Sequence, residues 1–534
     1  MTVRSPSVWA GLMVVCLCLG CMVEAATITA SAPAGPRRFF DTAAVTSPGR
    51  TISVAARENF QAALDNAQPG DTIALEAGAV FTGPFHLPRK NGNGWILVRT
   101  TAPDGRLPMP GTRVDPADAS AMPKLIAASD SVLTAAEGAH HYRFVGVEIT
   151  PSAGVSLTNL VQLGKSETAI DRLPHHFVFE RCYLHGDPAK GARRGIALNS
   201  RYTAVVDSYL SDFKEHGADT QAIAGWNGDG PFVIVNNYLE AAGENVLFGG
   251  ADPTIRNLVP SDIEIRQNHI VKPLRWKPGE PGYEGTPWQV KNLLELKNAR
   301  RVRIEGNLLE NNWKQAQNGF AILFTVRNQD GRAPWSVVED VIFSDNVVRH
   351  SGAGISMLGR DDNYPSQQTR RILIRNNLFA DIDGSRWGGG GTLLQIINGT
   401  TDVVFERNTA FQSGSIIVTE GAPQVRFVYR LNLTPHNEYG ITGAGTGTGG
   451  ATFDRFLPRA VVEKNVIVGG SASQYPRGNF FPRSLDDVGF VDLARGDYRL
   501  GDKSRYRQGS DTPGVDRDAL QTAISAEAPR AVQR

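Results

Sequence analysis

The sequence predicts an all-β solenoid in which short parallel strands stack from one coil to the next. The first observation is a recurring pattern of apolar–x–apolar residues, one or two polar residues, an asparagine and an apolar pair. The second is the variable interval between copies, from 24 residues between Asn408 and Asn432 to 39 residues between Asn268 and Asn307. No segment between copies is long enough for a crossover helix, which argues against ordinary βαβ units.

Each copy of the pattern predicts a strand with one buried face, because its apolar residues alternate. The asparagine can bond the backbone of the neighbouring coil at a tight bend and tolerates left-handed geometry, which predicts a ladder along the solenoid. A single copy is equally consistent with an ordinary turn residue, but seven copies in one frame favour the ladder. They are Asn268, Asn307, Asn346, Asn377, Asn408, Asn432 and Asn465. Earlier copies keep the frame with Cys182, Ser208 and Asn237 at the key position.

A second strand is predicted between successive asparagines, usually after a glycine. Constant strands separated by variable intervals indicate a constant core with loops of variable length. The second strands are expected at 245–248, 292–297, 321–327, 354–358, 392–397 and 415–419.

The N-terminus predicts a secretory signal peptide over residues 1–25. Arg4 precedes an apolar run from Val8 to Leu19, and a small-residue cleavage site ends at Ala25. We therefore expect a secreted or periplasmic protein, with a lipid anchor on Cys21 as the alternative. Cleavage after residue 25 leaves Cys182 as the remaining cysteine, so a monomer has no disulfide.

The remaining chain is expected to form one unit, although 534 residues would ordinarily suggest three or four domains. Stacked repeats extend a single core without that limit. We predict a solenoid over residues 26–500 and a C-terminal cap and tail over residues 501–534. A final strand at 497–500 and a short helix at 515–526 are expected to cover the open coil.

The coils from residue 143 to about residue 468 resemble the pectate-lyase-like right-handed parallel β-helix superfamily. Residues 59–64 and 70–73 resemble its N-terminal cap helix and first strand, and residues 243–250 and 317–324 resemble a bacterial subgroup. The resemblance implies a right-handed parallel β-helix. It does not select a reaction, because this fold carries lyases, hydrolases, epimerases and adhesins.

The net charge and the hydropathy of the sequence limit the kinds of molecule that this protein is expected to bind. Lys plus Arg number 55 and Asp plus Glu number 54, a formal net charge of +1, whereas a nucleic-acid-binding protein would show a basic excess. Local charged patches for a polysaccharide remain compatible with this balance. No stretch after the signal is long and apolar enough for a transmembrane helix. We expect a monomer that acts on a polysaccharide.

Chemistry on such a solenoid must lie on an outer face, because apolar side chains fill the interior. Alternation over residues 293–297 buries Leu294 and Leu296 and turns Glu295 and Lys297 outward. A slip of one residue would exchange the faces. Because coils stack about 4.8 Å apart, outward residues of successive coils form one stripe. The residues expected along it are Asn245, Asp252, Glu295, Lys297, Arg327, Arg360 and Gln395.

Aromatic loops beside this stripe suggest a glycan cleft. The segment 272–288 contains Trp276 and Trp288, and the segment 311–318 contains Trp313. Their rings could stack on sugar faces, so we predict substrate binding by these three tryptophans with Asn245 and Gln395. The alternative is that the rings close gaps where the loops fold onto the solenoid.

The resemblance implies a mechanism for acidic glycans. Related lyases remove the C5 proton with a lysine or arginine, while calcium or a cation masks the uronate charge. On this basis Lys297, Arg327, Arg360 and Glu295 are the candidate catalytic residues. Asp252 and Asp361, together with Glu295, could hold calcium through oxygen ligands; no other cofactor is expected.

Two other functions stay open. A glycoside hydrolase needs two carboxylates that face one bond, and Glu295 with Asp252 could supply them. A second patch, residues 214–221, contains His216 as a possible acid or base. A non-catalytic glycan-binding surface protein is the third alternative.

Overall fold

The fold is a right-handed parallel β-helix, as predicted. The computed structural model describes residues 1–2, 30–516, 518 and 520. The predicted signal peptide beyond residue 2, Cys21, and most of the predicted helix at 515–526 lie outside these residues.

Three long sheets, here called A, B and C, form the walls of the solenoid. Each coil contributes one strand to A, then B, then C. Sheet A contains Thr51–Val54, Thr72–Leu75, Ile96–Thr100, His140–Val145, His175–Glu180, Arg201–Val206, Phe232–Val235, Ser261–Arg266, Ala299–Glu305, Val338–Ser344, Arg370–Arg375, Thr401–Glu406, Val428–Arg430 and Val461–Glu463. Sheet B contains Val80–Thr82, Lys124–Ala127, Glu148–Pro151, Tyr183–His185, Tyr209–Phe213, Tyr238–Ala241, His269–Val271, Leu308–Asn312, Val347–Ser351, Leu378–Ile382, Thr409–Gln412, Leu433–Pro435 and Val466–Val468.

Sheet C is the third wall of the solenoid. Its strands are Phe85–Leu87, Leu133–Ala135, Asn159–Leu163, Arg194–Leu198, Gln221–Gly225, Glu244–Phe248, Asn292–Leu296, Phe320–Thr325, Ala353–Leu358, Leu394–Ile397, Ile417–Glu420, Ile441–Gly443 and Gly447–Thr448. Neighbouring strands pair in parallel, except that the last two pair antiparallel. A separate antiparallel pair joins Phe490–Asp492 to Asp497–Leu500.

Helices are few and short. The α-helices are Phe60–Asn66, Gly384–Trp387 and Gly450–Phe456. The 3-10 helices are Asp104–Arg106, Pro116–Ala121, Ile170–Arg172, Leu274–Trp276, Asp486–Val488, Leu493–Arg495 and Gly509–Asp511. Across the described residues none of the helices is long and apolar enough to cross a membrane.

The ends of the core are covered by short helices. At the N-terminal end Asn59 caps the helix Phe60–Asn66, which packs against the terminal strands of sheets A and C. At the other end the helix Gly450–Phe456 places Phe456 in the core. The predicted strand at 497–500 is present, but Gly514 and Val515 bond to Leu431 and Thr409 on the flank of the solenoid. The segment just before the predicted C-terminal helix therefore runs beside the coils.

The asparagine ladder occupies the turn between sheets A and B. The backbone N–H of Asn307 donates to Oδ1 of Asn346 at 2.9 Å, and the Nδ2 group of Asn307 donates to the same atom at 2.9 Å. The same pair of bonds repeats from Asn237 to Asn268 and on to Asn465, which donates to Asn479. These asparagines before Asn479 are fully buried, so the ladder satisfies backbone groups that water cannot reach.

Left-handed geometry in this turn belongs to the residue before each ladder asparagine. Gln267 has φ of 56° and Asp345 has φ of 58°. The asparagine supplies the hydrogen bonds and its predecessor makes the bend, whereas the sequence pattern had suggested that one residue does both.

The segment 30–43, here called the N-terminal strap, runs along the beginning of the sheet A strands. The backbone N–H groups of Ser31, Ala34 and Arg37 donate to carboxylates near the starts of three sheet A strands, at 2.8 to 2.9 Å. Because these strands belong to different coils, the strap connects coils that are distant in sequence.

The cysteine that remains after the predicted cleavage is buried. Cys182 has no exposed surface and no disulfide partner, and burial raises the pKa of its thiol to about 12. It occupies the ladder position, where its backbone N–H donates to the Ser208 hydroxyl at 3.0 Å.

Candidate active site on the outer face of sheet C

The strand Asn292–Leu296 has the predicted orientation. Leu294 and Leu296 lie in the core, and Glu295 lies on the opposite side beside Lys297. In the parallel register Glu295 aligns with Leu323, and then with Ser356 and Gln395 in the following coils. The outer face of sheet C therefore carries a continuous row of these positions.

Lys297 and Glu295 form the centre of this face. The Lys297 Nζ atom lies 3.6 Å from Oε1 of Glu295, and the lysine side chain is 15% exposed while the glutamate is 2% exposed. The glutamate is fixed from both sides: Asn292 Nδ2 donates to Oε2 at 3.1 Å, and the Thr325 hydroxyl donates to Oε1 at 3.2 Å. A buried carboxylate with these partners holds the ammonium in place at the surface.

A second lysine–carboxylate group, which the sequence pattern did not reveal, spans the coil of Lys297 and the two coils before it. Glu244 is fully buried, and Lys291 Nζ lies 3.2 Å from it and 2.5 Å from Asp219. Gln221 donates to the other oxygen of Glu244 at 2.7 Å. Burial, reinforced by the negative charge of Glu295, raises the pKa of Glu244.

Charge compensation in this group is uneven. Burial alone would raise the pKa of Asp219, but its contact with Lys291 lowers it. For Lys291 the directions are reversed: burial alone would lower its pKa, but the carboxylates of Glu244 and Asp219 raise it. Asp219 and Lys291 therefore stay ionised, and Glu244 is the group that most readily takes up a proton.

The residues of the second predicted patch, 214–221, lie in different environments. Asp219 and Gln221 join the face around Glu244, as described above. His216 is exposed in a loop, and Lys214 is fully buried, 2.9 Å from Asp212 and 3.4 Å from Glu284.

Of the predicted basic residues, Arg327 is the direct neighbour of Lys297, because its backbone N–H donates to the Lys297 carbonyl at 2.9 Å. Arg327 forms ion pairs with Asp361 at 2.6 Å and with Asp362. Arg360 is exposed and donates to the backbone oxygen of Ser366 at 3.4 Å. Two carboxylates therefore neutralise Arg327, the arginine next to Lys297.

Asn245 points inward, opposite to the prediction. Its Nδ2 group donates to the backbone oxygens of Leu239 and Val271 at 2.8 Å, and its Oδ1 accepts from the buried Lys272 at 3.0 Å. Asn245 and Val246 are both fully buried, so strict alternation does not hold at the start of this strand, and Glu244 is the residue that contacts Lys291.

The three predicted substrate-binding tryptophans form a small core of their own. Trp276, Trp288 and Trp313 are 1%, 7% and 4% exposed and pack with Trp387. They close the space where the long loops fold onto sheets B and C. Sugar stacking on these rings would require the loops to open.

Gln395 lines an open cavity on the outer face of sheet C. The cavity has a volume of about 260 Å³ and also contacts Lys314, Asn318, Thr392 and Val418. Ser356 donates to Oε1 of Gln395 at 2.9 Å, which leaves the amide group to face the cavity. This is the predicted substrate-binding residue that the structure places on an accessible surface.

The two candidate calcium ligands do not form a calcium site. Asp361 accepts from Arg327 and from the backbone of Asn328 and Asn363, so both its oxygens are occupied. Asp252 accepts through Oδ2 from the backbone of two residues in the loop 330–332, and its Oδ1 is buried without a partner. In the described part of the chain no third histidine, cysteine or carboxylate joins them at ligand spacing. These residues therefore do not fit the metal.

Several solved structures share this fold. The PL6 family alginate lyase AlyGC matches 90% of this chain with a TM-score of 0.50 and 15% sequence identity. A mannuronic acid specific family 6 polysaccharide lyase from human gut microbiota matches 91% of this chain and 97% of its own length, with 11% identity and a TM-score of 0.49. The catalytic unit of a GH87 α-1,3-glucanase from Streptomyces thermodiastaticus strain HF3-3 covers 85% of this chain and 70% of its own, with 11% identity and a TM-score of 0.45.

At these identities the likeness shows the fold alone. This chain spans 59% of the length of the AlyGC chain. No protein-family model matches the sequence, and no curated protein sequence matches it either.

Proposed function

We propose that this chain is an exported polysaccharide-active enzyme that cleaves an acidic, uronate-containing glycan by β-elimination on the outer face of sheet C. The observation that carries the proposal is the Lys297–Glu295 pair, in which a partly exposed ammonium lies 3.6 Å from a buried and doubly anchored carboxylate. The fold is compatible with this chemistry and also with others, so the choice rests on the side chains.

Lys297 is the proposed base. An amine accepts a proton only when it is neutral, and Glu295 lies close enough to take the ammonium proton as substrate displaces water. Lys297 Nζ then removes the C5 proton of the uronate. The released electron pair forms the C4–C5 double bond, the C4–O bond breaks, and the leaving oxygen takes up the proton that Lys297 Nζ removed from C5.

Glu295 and Asn292 are positioning residues in this scheme. Asn292 holds one oxygen of Glu295, and Thr325 holds the other. A fixed geometry lowers the cost of placing the base against the substrate carbon.

A polymer can extend along the same face beyond Lys297. Lys314 and Gln395 line the cavity further along sheet C, where a cation and an amide can bind uronate carboxylates and hydroxyl groups. Adjacent coils lie about 4.8 Å apart, so a polysaccharide that lies along this face would contact side chains from several coils.

The test is incubation of the exported protein with a panel of acidic and neutral polysaccharides. A lyase produces new ultraviolet absorbance from the unsaturated uronate together with new reducing ends, and only from acidic substrates. New reducing ends without absorbance would replace the lyase by a glycoside hydrolase. Retention of the protein in polysaccharide-containing gels without any cleavage would instead establish a glycan-binding protein.

A further inference from the structure

Four histidines form a compact array at the start of two adjacent sheet A strands, in coils that precede the coil of Lys297. His140 and His141 begin one strand, and His175 and His176 begin the strand of the next coil. His175 aligns with His140 in the parallel register, so the two histidine pairs lie side by side.

The backbone brings neighbouring side chains together within each pair. In an extended strand consecutive side chains point to opposite faces, but His141 and His176 have φ of 59° and 60°. This left-handed bend places the two Nδ1 atoms 2.8 Å apart in the first pair and 2.7 Å apart in the second.

Stacking completes the array across the coils. The His140 ring lies over the His175 ring with centroids 4.8 Å apart, and the His141 ring lies over the His176 ring at 4.4 Å, both nearly parallel. One ring nitrogen from each of His141, His175 and His176 lies within 4.8 Å of the other two. Phe40 of the N-terminal strap contacts the His176 ring edge-on and closes one side.

The array is chemically suited to a metal that prefers nitrogen. Burial lowers the pKa of His141 and His175 to about 4 and that of His176 to about 3, so at neutral pH the imidazoles carry the lone pairs that a metal requires. The charged groups that act on the array, Arg89 and Arg201, are cationic. Neutral ligands beside positive charge disfavour Ca²⁺ and Mg²⁺ and favour ions that bond imidazole strongly.

We propose that His141, His175 and His176, with His140 next to His141, bind one divalent first-row transition metal ion. Metal–nitrogen bonds of about 2.0–2.1 Å require the nitrogens to lie roughly 3–4 Å apart, which small ring rotations within the present spacing can reach. The ion would replace the Nδ1–Nδ1 hydrogen bonds and join two coils at the edge covered by the strap. Its role would be structural, because the array is on a different sheet from Lys297.

The test is titration of the chelator-treated full-length exported protein with Cu²⁺ and Zn²⁺, followed by calorimetry and, for Cu²⁺, by electron paramagnetic resonance. We expect one equivalent per chain, nitrogen hyperfine coupling in the Cu²⁺ spectrum, a melting temperature raised by metal, and no response to Ca²⁺. His175→Asn and, separately, His140→Asn should each remove or strongly weaken this step. His216→Ala removes an exposed loop histidine and should leave it unchanged.

Failure of the native protein to bind either ion with a defined stoichiometry overturns the proposal, whatever the variants do. Binding that is equally strong in His140→Asn, His175→Asn and His216→Ala also overturns it, because the ion would then lie elsewhere. Should one variant not fold, the other and the spectrum of the native protein still decide the question.

Discussion

Removing one rung of the asparagine ladder should destabilise the solenoid far more than removing an exposed asparagine. Asn346 is fully buried and takes part in six hydrogen bonds to neighbouring coils. Its Oδ1 accepts two from Asn307, its Nδ2 donates to Ile304 and Asn377, its backbone N–H donates to Asn377, and its backbone oxygen accepts from Leu378. Asn346→Ala keeps only the last two of these bonds.

The magnitude follows from the groups that lose their partners. The buried backbone N–H of Asn307 loses its acceptor, at a cost of about 1–3 kcal/mol. The other lost side-chain bonds contribute about 1 kcal/mol each where their partners retain another contact, as Asn307 Nδ2 does with Ile265. We therefore expect a loss of about 4–6 kcal/mol for Asn346→Ala, against less than about 0.5 kcal/mol for the exposed control Asn363→Ala.

Hydrogen exchange is the direct assay, because the coils of a solenoid need not unfold as one cooperative unit. The amide of Asn307 should exchange much faster in Asn346→Ala than in the native protein, and the melting temperature should fall. Equal exchange and equal melting in Asn346→Ala and Asn363→Ala would refute the ladder as a source of stability.

Three further predictions follow from buried groups. Trp313→Ala should lower the free energy of unfolding by about 3 kcal/mol, since it opens a hole in the loop core; an unchanged melting temperature would show that this ring is not a packing residue. Lys272→Met should cost about 2–4 kcal/mol in denaturant unfolding, because four buried oxygens lose the donor that reaches them at 2.7–3.0 Å; a variant as stable as the native protein contradicts this. The pKa values of about 4 for His141 and His175 and about 3 for His176 lie below the usual ~6.5, so the unfolded chain binds more protons and stability should fall as pH drops from about 6.5 towards 4. His175→Asn should flatten this fall in the melting temperature, and parallel curves would contradict the assignment.

The sequence was sufficient to predict the ladder and the orientation of Glu295, because both depend on local periodicity. It failed at Asn245, because Asn245 and Val246 are both fully buried and strict alternation does not hold at the start of this strand. Glu244 was missed for the same reason, although it directly follows Gly243 at a strand start and aligns with Asn292.

The periodic sequence pattern could not predict ion pairs with side chains from distant loops. Arg327 is drawn to Asp361 and Asp362 by a loop of the next coil, and Lys291 reaches Asp219 across 72 positions. The burial of Trp276 depends on how the long loops fold back, which periodicity does not encode.

The central claim is that Lys297 is the base of a β-elimination, and its most direct test compares Lys297→Ala with Lys124→Ala on the best acidic polysaccharide. Lys124 is a matched control because its Nζ lies 2.8 Å from the buried Glu148, but on sheet B. We predict that Lys297→Ala loses the ultraviolet-absorbing product at a nearly unchanged melting temperature, whereas Lys124→Ala retains it. Activity of Lys297→Ala within a few-fold of the native protein would contradict the role of Lys297, and a neutral best substrate would contradict the lyase itself.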